Sequence, residues 1–334
     1  MPDTWRTWKQ WPELILERLD DAGVARVVLN RPDKRNCLNE ALVTAWFTAL
    51  DLVRDDPDVK AVITKGAGVC FSSGLDLHFL RQVSEAPRDW DRPTPTVRMA
   101  ETLRAFPRIV IAQVHGYCLG GALGIVNCHD LVFAAEDAQF GMPEILRGSF
   151  GQLVTSTLVH GGIPIKKVAL MQVVGRNISG AEADRWGIVS QALPAAELET
   201  TVTGIAREIA ARHGAPLEHA KITVQMGRDL SLSQAIQLDQ LVAARMRRVM
   251  DPTQHVESYL QSQRAGRIES ISGRMCDASW PGSSRPSTSL HLRWRKTWMP
   301  GTRPGMTYQS ALRWRYAAAF FAPRLSDSTA SSTV

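Results

Sequence analysis

The chain has 334 residues, 44% of them hydrophobic and 22% charged, a globular balance that excludes a collagen-like rod, a disulfide mini-protein and a wholly disordered chain. Its formal charge of +6 is uneven: residues 270–334 hold nine Lys and Arg against two Asp and Glu, and the rest holds 30 against 31, so the near-neutral body argues against nucleic acid as a partner. There is no apolar run of about 18 residues, no signal-peptide core in MPDTWRTWKQWPE and no C-x-x-C spacing among the five cysteines, which predicts no membrane span, reduced thiols and a cytoplasmic protein.

The first predicted element is a hairpin. ELILERL (13–19) and VARVVLN (24–30) run apolar or alternate around Asp20-Asp21-Ala22-Gly23, a turn signal. The polar segment Arg31-Pro32-Asp33-Lys34-Arg35-Asn36 follows. Asn39 is placed to cap a helix with Leu42, Ala45, Trp46, Ala49, Leu50 and Val53 at three/four spacing. Residues 59–64 read as a buried strand, 66–76 as a small-residue loop, and 84–96 as a lid-like stretch broken by prolines. A helix at 97–106, a strand at 109–114, a helix from 120 to 128 and a strand at 131–134 complete an alternation that predicts an α/β core.

Beyond residue 150 the pattern is helical, at 164–174, 180–186, 196–213, 216–228, 233–250 and 252–264, with a short strand near 188–192. Leu238, Leu241, Val242 and Met246 make an apolar face suited to the core or to an oligomer. From about residue 269 the text changes. Twelve of the last 65 residues are Ser, and Trp280, Trp294, Trp298 and Trp314 lie among them without a sustained period. An out-of-frame translation of a GC-rich gene would produce such a tail; the competing expectation is a basic arm for RNA or membrane.

Three segments could carry chemistry. Two Gly-containing turns, Cys70–Leu77 and His115–Gly124, each follow a strand. Small residues let a ligand approach the backbone, and two free amides converging on one carbonyl oxygen stabilise an enolate more than its parent thioester. The third is Phe140-Gly141-Met142-Pro143-Glu144-Ile145, where apolar neighbours would raise the pKa of Glu144 toward that of a useful general acid/base. By itself each segment also reads as an ordinary tight turn or helix start. The glycines do not fit a dinucleotide fingerprint, and there is no Gly-Lys-Ser/Thr. His115 with Cys118 could form a base–nucleophile pair, but packed turn residues are the simpler reading. His129-Asp130 reads as a helix end.

In order and spacing, F-S-S-G-L-D-L, H-G-Y-C-L-G-G-A-L-G and A-Q-F-G-M-P-E-I resemble the enoyl-CoA hydratase/isomerase (crotonase) superfamily. The likeness spans about residues 13–266 and includes N-R-P-D-K-R-N-C-L-N (30–39) and V-V-G-R-N-I-S-G-A-E-A-D-R-W-G-I-V (173–189). It implies an α/β fold: a crotonase-like ββα spiral core over 1–195 and an α-helical C-terminal trimerisation region over 196–268, with 269–334 a low-order basic tail. It also implies an acyl-CoA substrate, no metal or redox cofactor (coenzyme A being part of the substrate), and a homotrimer or hexamer.

By the same resemblance, the amides of Ser73 and Gly121 would form the oxyanion hole and Glu144 would be the general acid/base. Lys34, Arg35, Ser72, Gly74, Leu75, Asp76, Leu77 and Gly120 would line the CoA groove. His78 and Tyr259 would be candidates for the acyl pocket, with Tyr259 also a candidate phenol partner. The family's hydratases use two glutamates around a water; the first falls here at Gly124. A further acidic position of some members is Gln152. One carboxylate can shuttle a proton between two carbons, so the resemblance leans to enoyl-CoA double-bond isomerisation. Enoyl-CoA or hydroxycinnamoyl-CoA hydration (lyase) is the alternative, and a non-catalytic RNA-binding or assembly subunit is the alternative of another class. Near the C-terminal end of the likeness, Gln261, Ser262 and Gln263 stand where a basic residue is often found, with Arg264 as a substitute.

Overall fold

The computed structural model describes residues 4–20, 22–85 and 93–250, together with Glu257 and Leu260. Residues 1–250 belong to one compact unit. Tyr259, the tail after 269 and all but two residues of the expected 252–264 helix lie outside the described residues.

The large sheet starts with three antiparallel strands, β1 (Trp5–Gln10), β2 (Leu14–Leu19) and β3 (Val24–Leu29). From β3 onward it is parallel, through β4 (Ala61–Gly66), β5 (Ile109–Val114), β7 (Leu131–Ala135) and β10 (Gln191–Leu193). Covered strands of a parallel sheet read as continuous apolar runs, and β3 is buried at all six positions. Its one charge, Arg26, is paired with Glu17 at 2.6 Å and Glu199 at 2.9 Å and lies 3.9 Å from the Trp5 ring. β1 is an edge strand of exposed and half-buried residues, and its polar, weakly alternating text gave no strand signal.

A small sheet holds β6 (Tyr117–Leu119), β8 (Gln139–Gly141) and β9 (Ile178–Ser179), in that order. Thus β5 hands the chain to β6 and then α4 (Gly121–Val126), and β7 hands it to β8 and a 3-10 turn at Pro143–Arg147. These two turns of the ββα spiral place one strand in the large sheet and the next in the small one, so the chain reaches Gly120–Gly121 and Glu144 as it leaves the small sheet, whereas 70–77 follows β4 and meets β6 through a single bridge of Ser72 with Cys118.

Helix α1 (Glu40–Asp55) is capped as expected, Asn39 accepting from the Leu42 amide at 2.9 Å, and buries Trp46 at 1% exposure. Two helices appear where the sequence pattern assigned no element. α2 (Leu77–Glu85) begins where the Asp76 carboxylate accepts from the His78 amide at 3.0 Å. α5 (Gln152–His160) follows the glycine-containing stretch after residue 147. The stretch read as a lid is bounded by α2 and by α3 (Pro95–Ala105); residues 86–92 lie outside the described residues.

The remaining helices are α6 (Ile165–Val174), α7 (Gly180–Trp186), α8 (Ala195–Ala210), α9 (Gly214–Gly227) and α10 (Leu232–Val249). α8 packs on β3, β4, β5 and β7. α9 is fastened to the core by Lys221, which is buried and reaches Asp130 at 2.8 Å and the carbonyls of Leu103 and Arg108 at 2.9 and 3.0 Å.

Candidate active site

Three segments meet where the small sheet ends. The first is 31–38, pinned by buried Asn36. Its side chain donates to the carbonyls of Ala67 and Cys70, each at 2.8 Å, and accepts from the Arg31 amide at 2.9 Å. Arg31 also reaches Asp76 at 3.2 Å, and the Cys37 thiol donates to the same carboxylate at 3.3 Å. Burial pushes the Asp76 carboxyl up, but the Cys37 thiol, Arg31 and the amides of His78 and Phe79 outweigh it and hold it below the usual range. Asp76 is therefore a latch between the two walls of a groove. Lys34 and Arg35 stand exposed at its rim.

The second segment, 70–77, runs between 35–38 and β6. Ser72 is fully buried; its amide and carbonyl bond to Tyr117 and Leu119, and its hydroxyl donates to the Asn36 carbonyl at 2.8 Å and accepts from the Gly74 amide at 3.2 Å. The Ser73 amide donates to the Arg35 carbonyl at 2.9 Å. That bond takes up the donor assigned to the oxyanion hole from sequence.

The amide two residues on has a different setting. In the bridge between Leu38 and Leu75, the bonds run from the Leu38 amide to the Gly74 carbonyl and from the Asp76 amide to the Leu38 carbonyl. In a parallel bridge the flanking residues make the bonds, so the N–H of Leu75 faces away from Leu38. Gly74, at φ +96°, makes this reversal: a Cβ there would lie 2.7 Å from the Leu119 carbonyl and 3.6 Å from the Gly121 nitrogen. A Cβ on Gly121 would lie 3.5 Å from Leu75 Cγ and 3.8 Å from Thr96 Cγ2. The Gly121 amide opens α4, where the first N–H groups of a helix have no partner within it. Among the described residues neither the Leu75 nor the Gly121 amide has an acceptor.

The third segment brings Glu144, in the first turn of the 3-10 element. A Cβ on Gly120, which sits at φ +53°, would fall 2.6 Å from Glu144 Oε1. The carboxylate therefore rests against the glycine beside the Gly121 amide. Its Oε2 is buried with no hydrogen-bond partner among the described residues. Burial raises the Glu144 pKa above the usual carboxylate value, opposed by its own backbone amide and by Arg147.

Gly124 lies one helical turn along α4, its amide donating to the Gly120 carbonyl at 3.2 Å. The space above it is taken: a Cβ at 124 would lie 2.9 Å from Leu153 Cγ and 3.2 Å from the Val154 nitrogen. Nothing in the sequence pattern singled out Leu153, because the contact joins α4 to α5.

Other expected positions fall elsewhere. Leu77 and His78 are exposed. His78 lines, with Trp11, Glu13, Glu40 and Phe79, a cleft of about 680 Å³ that does not include Glu144, Leu75 or Gly121. It joins α1 to α2 and is not the space beside the acid. Tyr259 lies outside the described residues. Cys118 is fully buried and its thiol pushed up by that burial, while His115 bonds the Gly68 carbonyl at 2.9 Å, which leaves no activated nucleophile. His129 is buried between the Ile125 carbonyl and the Thr64 hydroxyl, its pKa pushed down to about 4 by that burial.

Two neighbouring amides without acceptors among the described residues, beside a partly desolvated carboxylate, are a chemistry that can hold a carbonyl oxygen while a proton moves. The chain belongs to the enoyl-CoA hydratase/isomerase family, whose sequence profile matches residues 20–264. It is 29% identical over 232 residues to a probable mitochondrial enoyl-CoA hydratase of Dictyostelium discoideum, covering 70% of this chain and 82% of that one. It is 27% identical over 229 residues to the hydroxycinnamoyl-CoA hydratase-lyase of Pseudomonas fluorescens, covering 67% and 82%. A peroxisomal Delta(3,5)-Delta(2,4)-dienoyl-CoA isomerase of Arabidopsis thaliana is 27% identical, covering 66% and 84%. Among solved structures, the human enoyl-CoA hydratase domain-containing protein 3 superposes with a TM-score of 0.70 at 26% identity, covering 75% of this chain and 98% of that one.

Proposed function

We propose that this protein isomerises the double bond of an enoyl-CoA, using one carboxylate and two backbone amides. The thioester oxygen sits between the N–H groups of Leu75 and Gly121. Glu144 removes a proton from C2 of a 3-enoyl-CoA, and the electron pair moves through C1 onto the oxygen. The same carboxyl group then returns the proton to C4 as the electrons settle between C2 and C3. The amides act because they are fixed before charge develops. The exposed rim residues Lys34 and Arg35 would meet the CoA phosphates, and the Arg31–Cys37–Asp76 latch holds the walls of the groove.

The observation that carries this reading is that Glu144 rests against Gly120 at the N-cap of α4, while Leu153 fills the space in front of Gly124 in the same helix. Ordinary hydration asks one group to activate water and another to protonate carbon, and here the second place holds a hydrocarbon. The test is turnover of 3-enoyl-CoA and 2-enoyl-CoA by the wild type and Glu144→Gln. Isomerisation that falls by about 10²–10⁴-fold in the variant, the usual span for a general acid/base, supports it. Faster hydration than isomerisation in the wild type, or undiminished isomerisation in Glu144→Gln, overturns it.

Hydration followed by carbon–carbon cleavage of an aromatic acyl-CoA is the second reading, favoured by the likeness to the hydroxycinnamoyl-CoA hydratase-lyase. Release of an aromatic aldehyde and acetyl-CoA from feruloyl-CoA would establish it instead.

A further inference from the structure

We infer that Leu153 is a specificity-determining residue: by filling the space above Gly124 it keeps water and any second polar group away from Glu144, and so confines the site to proton transfer between carbons. This rests on the one-carboxylate reading above and adds the residue that enforces it.

The geometry has three parts. Gly120, the N-cap of α4, and Gly124 are joined by an amide–carbonyl bond of 3.2 Å and so lie one turn apart. Glu144 Oε1 occupies the space in front of the first, and Leu153 Cγ and Cδ2 the space in front of the second, at 2.9 and 3.1 Å from where a Cβ would stand. Gly124 lies within the first turn of the helix that Gly120 caps. The leucine and the carboxylate therefore both close on the start of this one short helix, and Glu144 Oε2 is buried without a hydrogen-bond partner among the described residues. The arrangement depends on both residues: with any side chain at 124, Leu153 could not sit where it does.

The charges around Glu144 are few. Arg147 shares its turn and opposes the effect of burial. α4 reads Gly-Ala-Leu-Gly-Ile-Val and brings no charge. On α5 the one titratable group is His160 at the far end, 3.2 Å from Asp229. α6, packed on the Glu144 turn, carries Lys166 and Lys167, the latter lying over the Trp186 ring. Across the groove, Asp76 is committed to Arg31 and Cys37. Removing hydrocarbon beside Glu144 therefore changes its hydration without removing a charge.

The test uses Leu153→Ala, the swap Gly124→Val/Leu153→Ala, Gly124→Glu, and Gly124→Glu/Leu153→Ala in the full chain. The carboxyl resonance of Glu144 is followed by carbon-13 NMR against pH and assigned by its loss in Glu144→Gln. Hydration and isomerisation are measured on 2- and 3-enoyl-CoA. The inference expects Glu144 to titrate lower in Leu153→Ala and to return toward the wild-type value in the swap, which refills the space from the other side. It expects the hydration-to-isomerisation ratio to rise at least tenfold in Gly124→Glu/Leu153→Ala but not in Gly124→Glu, where the leucine blocks the new side chain.

An unmoved titration in Leu153→Ala overturns the role, as does a swap that leaves the titration at the Leu153→Ala value. Equal ratios in the two Glu-containing variants do so as well. The NMR titration needs no turnover. If the wild type isomerises nothing while the titrations move as expected, the reaction assignment fails and the packing role stands.

Discussion

Replacing Gly120 by alanine tests the position of the acid with a single methyl group. The new Cβ would lie 2.6 Å from Glu144 Oε1, whereas carbon–oxygen contacts settle at about 3.3–3.6 Å. The carboxylate must retreat by about 0.7–1 Å, and a misplacement of about 1 Å costs on the order of 10²-fold in rate. The backbone contributes separately. Gly120 sits at φ +53° and ψ −130°, a setting open to glycine, and an L-residue held in such a region costs about 1–3 kcal/mol. Gly120→Ala should therefore fold with a lowered unfolding midpoint in urea and lose about 10²-fold in kcat on 3-enoyl-CoA. KM should change far less, because the groove formed by 31–38 and 70–77 is untouched. A folded Gly120→Ala protein with wild-type kcat would refute the placement of Glu144 against α4.

Amide-to-ester replacement should separate the two candidate donors: at Leu75 it should cost about 10²–10³-fold in kcat, the usual loss for one oxyanion donor. At Ser73, whose amide is spent on the Arg35 carbonyl, the rate should scarcely change. Glu144 has its folded pKa raised by burial, so its ionised form is disfavoured in the native state, and any stabilisation it gives is present below the unfolded pKa and lost as pH rises through the folded value. Glu144→Gln should accordingly be more stable than wild type at pH 7, with the gap closing below about pH 4; thermal melts across pH check this. Lys221→Met leaves the half-buried Asp130 without its cation and should cost up to about 3 kcal/mol, read from urea unfolding.

The elements that sequence placed well are those with strong local causes. β5 is an apolar run between breakers, and α1 has a capping Asn39 and a three/four stripe ending at Val53. β1 was not legible because an edge strand need not alternate cleanly, and α2 and α5 because glycine-rich text before them suppressed the helical signal. Glu144 and Gly121 were singled out only because three segments together carry the family resemblance, since each segment alone also reads as an ordinary turn or helix start. The choice between the amides of Ser73 and Leu75 was not, since it depends on the reversal at Gly74 and on which neighbour uses each N–H. Leu153 was invisible because its meaning arises only when α5 folds over α4.

The path of one proton tests the central claim most directly. A 3-enoyl-CoA carrying deuterium at C2 is turned over in ordinary water, and the 2-enoyl product is read by mass spectrometry and NMR. A single carboxyl group that removes and returns the proton predicts part of the label at C4 in the wild type and conversion slowed by about 10²–10⁴-fold in Glu144→Gln. Conversion that proceeds unchanged in Glu144→Gln, or product that is hydrated at C3 with no isomer formed, would contradict it.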